Sequence, residues 1–159
     1  MNDFTISNSK GSSLLEVMIA LFVLAIGMLG VLAMQTRSIQ MNQNAYQYSQ
    51  ATALIADIYE AMLTTPSSHQ NYKIAYEETT PAAVACGAAT SNCSPSDIAQ
   101  WNLHHWRTNI ETLLPGGQGE IAALPSTVGG YRISVRFVTG YSDATDEPVL
   151  GEVALDVSI

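Results

Sequence analysis

The chain has 159 residues and a formal net charge of −8, with 6 Lys and Arg against 14 Asp and Glu. This length is typical of a single domain. The shortage of basic residues argues against a general nucleic-acid-binding surface, because phosphate recognition needs clustered Lys and Arg. Hydrophobic residues make up 47% of the chain, and many of them lie in one N-terminal block. The composition therefore predicts an apolar N-terminal segment followed by a more polar, acidic body.

The N-terminal block contains an uncharged run of twenty residues at positions 17–36. As an α-helix, a run of this length spans about 30 Å, the thickness of a bilayer's hydrocarbon core. A cleaved secretory signal has a basic start, a shorter apolar core of about 7 to 15 residues and a small-residue cleavage site, and this segment fits none of these. The sequence therefore predicts one transmembrane segment over about residues 14–36. Lys10 before it favours a cytoplasmic N-terminus.

Glu16 is the one charge inside this apolar region, in the stretch KGSSLLEVM at residues 10–18. A carboxylate at the centre of a membrane helix costs roughly 2.5 to 3.5 kcal/mol on insertion scales. One explanation is a side chain that reaches back to the cytoplasmic headgroups. The other is a functional charge that pairs with a positive group, such as the N-terminal amine of a neighbouring chain.

A single long helix is predicted at the start of the chain, because no Pro occurs between Ser12 and Pro66. After the apolar run, apolar residues recur at spacings of 3 and 4, which places them on one helical face. These residues are Ala51, Leu54, Ile55, Ile58 and Met62. The predicted helix covers residues 12–64, its first half in the membrane and its second half packed on a globular head. Gly27 and Gly30 each cost about 1 kcal/mol, which predicts local unwinding there or close packing through small residues.

The two cysteines, Cys86 and Cys93, enclose a short loop in the body of the chain. With the N-terminus in the cytoplasm, this body lies outside it, where oxidising surroundings favour a disulfide. Closing the loop removes roughly 2.5 kcal/mol of unfolded-chain entropy. A pair of free thiols is the alternative, and the sequence favours the disulfide.

A second helix follows a connector at residues 66–94, in which one short strand is predicted at residues 72–76. Ser94 supplies a hydroxyl N-cap, with Pro in the first turn and an acid three residues after the cap. The helix is predicted to end near Leu114, where Pro and two Gly follow. Its predicted buried side consists of Leu103, Trp106, Ile110, Leu113 and Leu114, with Ile98 at the margin.

Three strand-like runs close the chain, at residues 120–124, 131–139 and 149–159. In the middle run, Tyr, Ile, Val and Phe alternate with Arg132, Ser134 and Arg136, which is the period of a half-buried antiparallel strand. The last run alternates likewise. The sequence therefore predicts an α+β fold, in which a long N-terminal helix covers the apolar face of an antiparallel sheet and a second helix is added.

Catalytic and metal-binding motifs are not found in this sequence. Gly-x-Ser-x-Gly, His-Glu-x-x-His and a phosphate-binding Gly-Lys-Ser/Thr loop do not occur. His104 and His105 are adjacent and point about 100° apart on a helix, which disfavours a shared metal. Asp143, Asp146 and Glu147 gather three carboxylates, but without EF-hand spacing, so a solvated hairpin tip is favoured over a calcium site. We predict no enzyme activity, no metal site and no cofactor.

Residues 10–16 resemble the processing site of type IV prepilins. In those proteins a short polar leader ending in Lys-Gly is cut, and an acid stands fifth in the mature chain. The resemblance implies that prepilin peptidase cleaves between Gly11 and Ser12, that Ser12 is N-methylated, and that Glu16 serves in subunit assembly. Glu16 is the fifth residue counted from Ser12.

The segment CSPSDIAQWNLHHWRTNIETLLPGGQGEI is similar to a region that recurs in PilV-type minor pilins. This resemblance implies the type IV pilin fold, with a leader, a long helix and a periplasmic head at residues 1–11, 12–64 and 65–159. It implies a structural subunit of the tip and assembly-priming complex of the type IV pilus, a fimbrium that supports twitching motility and adhesion.

The same resemblance implies the partners and the location. The partners are other minor pilins, the major pilin, a large pilus-tip adhesin, the prepilin peptidase and the inner membrane, with no direct nucleic-acid contact. The protein is expected to span the inner membrane of a Gram-negative bacterium once, with its head in the periplasm. After assembly it is expected at the pilus tip on the cell surface.

Two other interpretations stay open from the sequence. A minor pseudopilin of a type II secretion system shares the leader, although the segment around Trp101 favours the minor pilin. A single-pass anchored periplasmic binding domain predicts an uncut N-terminus and indifference to substitution of Glu16. The two pilin-type interpretations instead predict a cut after Gly11.

Overall fold

The computed structural model describes residues 12–86, 92–125, 127–142 and 144–159. The elements in chain order are helix α1 (Ser12–Thr64), a 3-10 helix (Pro66–Tyr72), helix α2 (Pro95–Leu113) and the strands β1 (Gln118–Ala123), β2 (Gly130–Tyr141) and β3 (Pro148–Ser158). The chain divides into two compact units, one up to Gln43 and one from Asn44 to Ile159. The predicted α+β class and the order of its elements are confirmed.

The described part of the first unit is the N-terminal part of α1. Its large apolar side chains, from Leu14 to Met34, are each more than half exposed. The helix is long and apolar enough to cross a membrane. It is unbroken at Gly27 and Gly30, so the predicted unwinding is not observed. A Cβ added at either glycine would contact nothing within 4 Å, so the described residues make no close packing there. A cost of about 1 kcal/mol per glycine does not break a helix whose neighbouring turns stay hydrogen-bonded.

The second unit contains the C-terminal part of α1, from Asn44, together with the remaining elements. The predicted packing face of this helix is confirmed, because all five of its residues are buried in the core. These residues are Ala51, Leu54, Ile55, Ile58 and Met62. Tyr48, nearly one turn earlier, meets the ring of Phe137 of β2 edge-on, with 5.1 Å between the ring centroids. The helix therefore covers the apolar face of the sheet, as predicted.

The sheet is antiparallel, with the strand order β1-β2-β3. In the register of the central strand, Ile133 lies opposite Ile121 on β1 and opposite Leu155 on β3. The alternating core residues of β2 are buried, and these are Tyr131, Ile133, Val135 and Phe137. On the outer edge strand, Leu155 stays 42% exposed. The three predicted strands are confirmed, each within a few residues of its predicted ends.

Helix α2 begins as predicted, with a capping box. The Ser94 side chain accepts from the Asp97 backbone N–H, and the Asp97 carboxylate accepts from the Ser94 backbone N–H. The predicted buried side is confirmed except at Leu113, which is 48% exposed. The buried stripe instead runs through Ala99, Leu103, Trp106, Ile110 and Leu114. Leu113 falls outside it because Leu114 continues the spacing of four from Ile110.

The connector differs from its prediction. A 3-10 helix occupies Pro66–Tyr72, with Pro at its first turn. The strand predicted at residues 72–76 is reduced to one antiparallel bridge between Ile74 and Ile121. The physical reason is the Tyr72 side chain, which is fully buried and hydrogen-bonded through its hydroxyl to the end of α1 and to α2. This anchoring holds the backbone in a turn.

Candidate functional site

The segment that the sequence assigns to processing and assembly lies at the start of α1. The described helix begins at Ser12, and Gly11 lies outside the described residues. Glu16 is exposed in the second turn of the helix. Its neighbours on the helix are exposed as well, at 68% for Leu14 and 58% for Val17. The site is therefore a lone carboxylate at the start of a largely apolar helical surface.

The Glu16 carboxylate has no partner inside the described part of the chain, since no hydrogen bond or ion pair to it is formed there. In an apolar environment, an ionised carboxylate needs a positive partner or hydrogen-bond donors. The geometry makes this group available to a charge supplied by another chain.

The predicted disulfide is confirmed. Cys86 and Cys93 are joined, with an S–S distance of 2.06 Å and a Cα–Cα distance of 5.9 Å. Cys93 immediately precedes Ser94, the N-cap of α2. The bond thus joins the connector at Cys86 to the residue that precedes the N-cap of α2. Residues 87–91, between the cysteines, lie outside the described residues.

The acidic loop between β2 and β3 is only partly described, and Asp143 lies outside the described residues. The loop is closed by two backbone hydrogen bonds, from the Ser142 N–H to the Glu147 carbonyl at 2.8 Å and from the Asp146 N–H to the Ser142 carbonyl at 2.9 Å. Asp146 has a φ of 53°. Among the described residues, no group of three or more His, Cys, Asp or Glu is placed to hold a metal ion.

The adjacent histidines of α2 make separate local contacts. His104 Nδ1 lies 2.8 Å from the carbonyl oxygen of Pro81 in the connector. The His105 ring packs on Trp101, with 4.4 Å between the ring centroids. Trp101 and His105 thus meet at the four-residue spacing of one helical face. The two histidine rings also meet each other edge-on, with 5.4 Å between their centroids, while each keeps its own partner in the packing of α2.

Arg107 on α2 is an important residue that the sequence analysis missed. Its side chain is only 4% exposed, and its guanidinium donates to the carbonyls of Ala75, Tyr76, Glu78 and Gly119. Burial lowers its pKa, while the nearby charges of Glu111 and Glu78 act in the opposite direction. One side chain thus joins the connector, α2 and β1. The sequence signal was an arginine next to Trp106 on an apolar stripe, and it was too weak to identify this role.

The outer face of the sheet carries a second unpredicted cluster, around Tyr76. The guanidinium carbon of Arg136 lies 4.0 Å from the Tyr76 ring centroid, and the Tyr76 hydroxyl donates to Glu152 at 3.3 Å. Burial is the main cause that raises the Tyr76 pKa, and the charges of Glu152 and Glu120 add to it. Ser134 is 1% exposed in this cluster. The alternation that predicted an outward, solvated Ser134 is corrected here, because the connector covers that face.

Comparisons with known proteins give two family matches. The family described as "Prokaryotic N-terminal methylation motif" matches residues 6–32. The family described as "Type IV pilin Tt1218" matches residues 33–104. No curated protein and no solved structure matches the chain. The two matched segments adjoin one another and cover the long helix, the connector and the first half of α2.

An apolar N-terminal helix whose second part packs on a three-stranded antiparallel sheet, with a further helix, is the type IV pilin fold. With the two family matches, this fold identifies the chain as a type IV pilin-like protein. It is a structural subunit of pilin type, and its family implies interaction with other pilins and with the prepilin peptidase. The apolar helix fits membrane anchoring of such a pilin.

Proposed function

We propose that this protein is a minor pilin of PilV type, a structural subunit of the tip and assembly-priming complex of the type IV pilus. In this role it supports pilus biogenesis, twitching motility and adhesion. The observation that carries the proposal is the methylation-motif match over residues 6–32, in which Glu16 stands fifth counted from Ser12. The PilV-like segment from Cys93 through α2 favours a minor pilin over other pilin types.

In this proposal the prepilin peptidase cleaves between Gly11 and Ser12, and Ser12 is then N-methylated. The match to the methylation motif over residues 6–32 supports the cleavage site, because it spans Gly11 and Ser12. The new terminus carries a positive amine. Glu16 of one subunit pairs with that amine on its neighbour, since an exposed carboxylate in apolar surroundings gains most from a partner of opposite charge.

The proposed arrangement assigns residues 1–11 to the leader, 12–64 to the long helix and 65–159 to the periplasmic head. Before assembly, the helix spans the inner membrane over about residues 14–36. After assembly, the subunit lies at the pilus tip, in contact with other minor pilins, the major pilin and a large adhesin. The Cys86–Cys93 disulfide supports a head that matures outside the cytoplasm.

Mass analysis of the N-terminus tests the central step. The protein is isolated from inner membranes of cells with and without the prepilin peptidase. We expect a mature chain that starts at Ser12 only when the peptidase is present, with a further mass of one methyl group where methylation has followed. An unprocessed N-terminus in both preparations would overturn the proposal and leave an anchored binding domain.

A second experiment separates the pilus from a type II secretion pseudopilus. The gene is deleted and complemented in the native host, and sheared surface pili, twitching zones and secreted enzymes are compared. We expect fewer pili and smaller twitching zones, both restored by complementation, with secretion unchanged. Normal piliation with a loss of secreted enzymes would assign the protein to the secretion pseudopilus instead.

A further inference from the structure

The second unit contains a cleft between the C-terminal part of α1 and α2, with a volume of about 140 Å³. Each helix contributes four residues at the spacing i, i+3, i+4, i+7, so that one face of each helix forms a wall. From α1 these are Leu54, Asp57, Ile58 and Ala61, and from α2 they are Asn102, His105, Trp106 and Asn109. The cleft is therefore built by regular helical geometry.

The floor of the cleft is apolar and fixed. Leu54, Ile58 and Trp106 are each at most 4% exposed. The indole N–H of Trp106 donates to the Leu54 carbonyl at 2.8 Å, a bond that joins the two helices directly below the cleft. Since the indole is already hydrogen-bonded, the floor offers an occupant an aromatic and aliphatic surface and no free donor.

The rim of the cleft offers hydrogen-bond acceptors. Asp57 supplies an exposed carboxylate that forms no hydrogen bond and no ion pair within the described residues. The side-chain amide N–H of Asn102 donates to the Tyr72 hydroxyl at 2.7 Å, while that hydroxyl donates onward to the Ala61 carbonyl. With these bonds formed, the Asn102 amide oxygen has no hydrogen-bond donor among the described residues. An occupant that carries a positive charge and several N–H donors matches this rim.

The lysine and arginine side chains of the second unit are engaged elsewhere. Arg107 is buried among backbone carbonyls, and Arg132 makes a bidentate pair with Asp156. Arg136 donates to Gln118, and Lys73 donates to Gln70. Charge complementarity therefore indicates a basic side chain from another chain. Its aliphatic stem would pack on the floor of the cleft, and its cationic end would pair with Asp57.

We propose that this cleft receives a lysine or arginine side chain of a neighbouring subunit. The stem lies on Trp106 and Ile58, and the ammonium or guanidinium group reaches Asp57 and the Asn102 amide oxygen. The inference rests on the proposed function in one respect only, namely that the basic side chain comes from a second subunit of the same filament. The contact would add a side-to-side link between heads to the pairing at Glu16.

The direct test is an NMR titration of the full-length chain in detergent micelles. The probes are the N-acetyl methylamides of lysine and arginine, with the norleucine derivative as a neutral control of similar shape. We expect the lysine or arginine probe to shift the Trp106 indole signal and the Asn102 side-chain amide signals saturably. The norleucine probe is expected to bind at least about fivefold more weakly, as for loss of a partly exposed ion pair.

Two variants make the assignment specific. Asp57→Asn keeps the shape of the rim and removes its charge, so it is expected to weaken the lysine or arginine probe about fivefold. Glu60→Gln removes a neighbouring exposed acid of α1 that does not line the cleft, and it is expected to leave binding unchanged. No saturable shift up to the solubility of the probes, equal binding of norleucine, or no effect of Asp57→Asn would each overturn the proposal. None of these results depends on N-terminal processing, so the proposed function is tested separately.

Discussion

The two parts of helix α1 differ in whether their apolar side chains are buried within the described chain. Before Gln43 the large apolar side chains are exposed, and Glu16 is a charge without a partner in the described chain. After Asn44 the same helix buries a regular face, from Ala51 to Met62, against the sheet and α2. Isolated helices gain little from propensity alone, and tertiary packing supplies most of their stability. The first part therefore depends on surroundings outside the chain, and the second part does not.

This difference indicates which property of the protein a substitution in each part should change. A change in the first part should alter insertion, assembly or neighbours while the head stays folded. A change in the second unit should alter the free energy of unfolding of the head, whether or not the protein is in a filament. Each prediction below tests one side of this division.

The largest effect is expected at Glu16. Glu16→Ala should leave membrane insertion and cleavage intact and reduce the protein in sheared pili by about tenfold or more, because the proposed charge pairing with a neighbour is lost. Immunoblots of the membrane and pilus fractions measure this ratio. Glu60→Ala, at an exposed acid in the second part of the same helix, is the matched control and should be recovered normally. Normal amounts of Glu16→Ala in pili would contradict the expectation that the first part of α1 depends on contacts with other chains.

The next effect is expected at Arg107. Arg107→Met keeps an unbranched stem but leaves the carbonyls of Ala75, Tyr76, Glu78 and Gly119 without their shared donor. The free energy of unfolding should fall by about 3 kcal/mol, as for other buried groups deprived of a charged partner. Urea denaturation of the full-length chain in detergent, followed by tryptophan fluorescence, measures it.

Two further variants sharpen the assignment to Arg107. Arg107→Lys keeps the charge but lacks the planar fork that reaches several carbonyls, so it should recover only part of the loss. Arg132→Met removes an exposed arginine and should lower the free energy of unfolding far less than Arg107→Met does. Equal effects of Arg107→Met and Arg132→Met would contradict the structural role of the buried guanidinium.

A somewhat smaller effect is expected for the disulfide. Replacing both Cys86 and Cys93 with Ser should lower the free energy of unfolding by about 2.5 kcal/mol, the unfolded-chain entropy that closing so short a loop removes. The same denaturation measurement applies, with the wild-type chain reduced by dithiothreitol as a second route to the open loop. If the double variant unfolds at the wild-type urea concentration, the loop contributes nothing to the stability of the head.

Regular periodicity made most of the fold predictable. The packing face of α1 follows the spacing of 3 and 4 through Ala51 and Met62, and the strands follow strict alternation around Ile133. The capping box at Ser94 is a local pattern in which each side chain satisfies a backbone N–H three residues away. Such signals involve residues close in sequence, so they can be recognised before any tertiary contact is known.

The unpredicted parts depend on contacts between residues far apart in sequence. Tyr76 covers Ser134 on the sheet, and Arg107 reaches carbonyls about thirty residues earlier in the connector. No local pattern carries either pairing. The assembly role proposed for Glu16 rests on the opposite kind of signal, a short motif within a few residues, and it stays a prediction. The cleft around Asp57 required the packing of two helices and was not visible in the sequence.

The smallest expected effect is a pH dependence of the head below about pH 4. Hydrogen bonds from Ser94 lower the pKa of Asp97, and the hydrogen bonds and charge of Arg132 lower the pKa of Asp156. A carboxyl whose pKa is lower in the folded state contributes stability that is complete above its unfolded pKa, near 3.9, and is lost as the pH falls through the folded value. The wild-type melting temperature should therefore fall as the pH drops below about 4.

The double variant Asp97→Asn/Asp156→Asn tests whether the charges of these two carboxylates cause the pH dependence of the melting temperature. It should melt below wild type at pH 7, and the two melting temperatures should converge as the pH approaches 2, because wild type then loses the same two charges. Asp97 is partly exposed and Asp156 is exposed, so solvent screens both charges and the gap at pH 7 should be the smallest of these effects. A gap that stays constant from pH 7 to pH 2 would show that the substitutions act through the shape of the side chains. The charges at the helix cap and on the outer edge strand would then add nothing to the stability of the head.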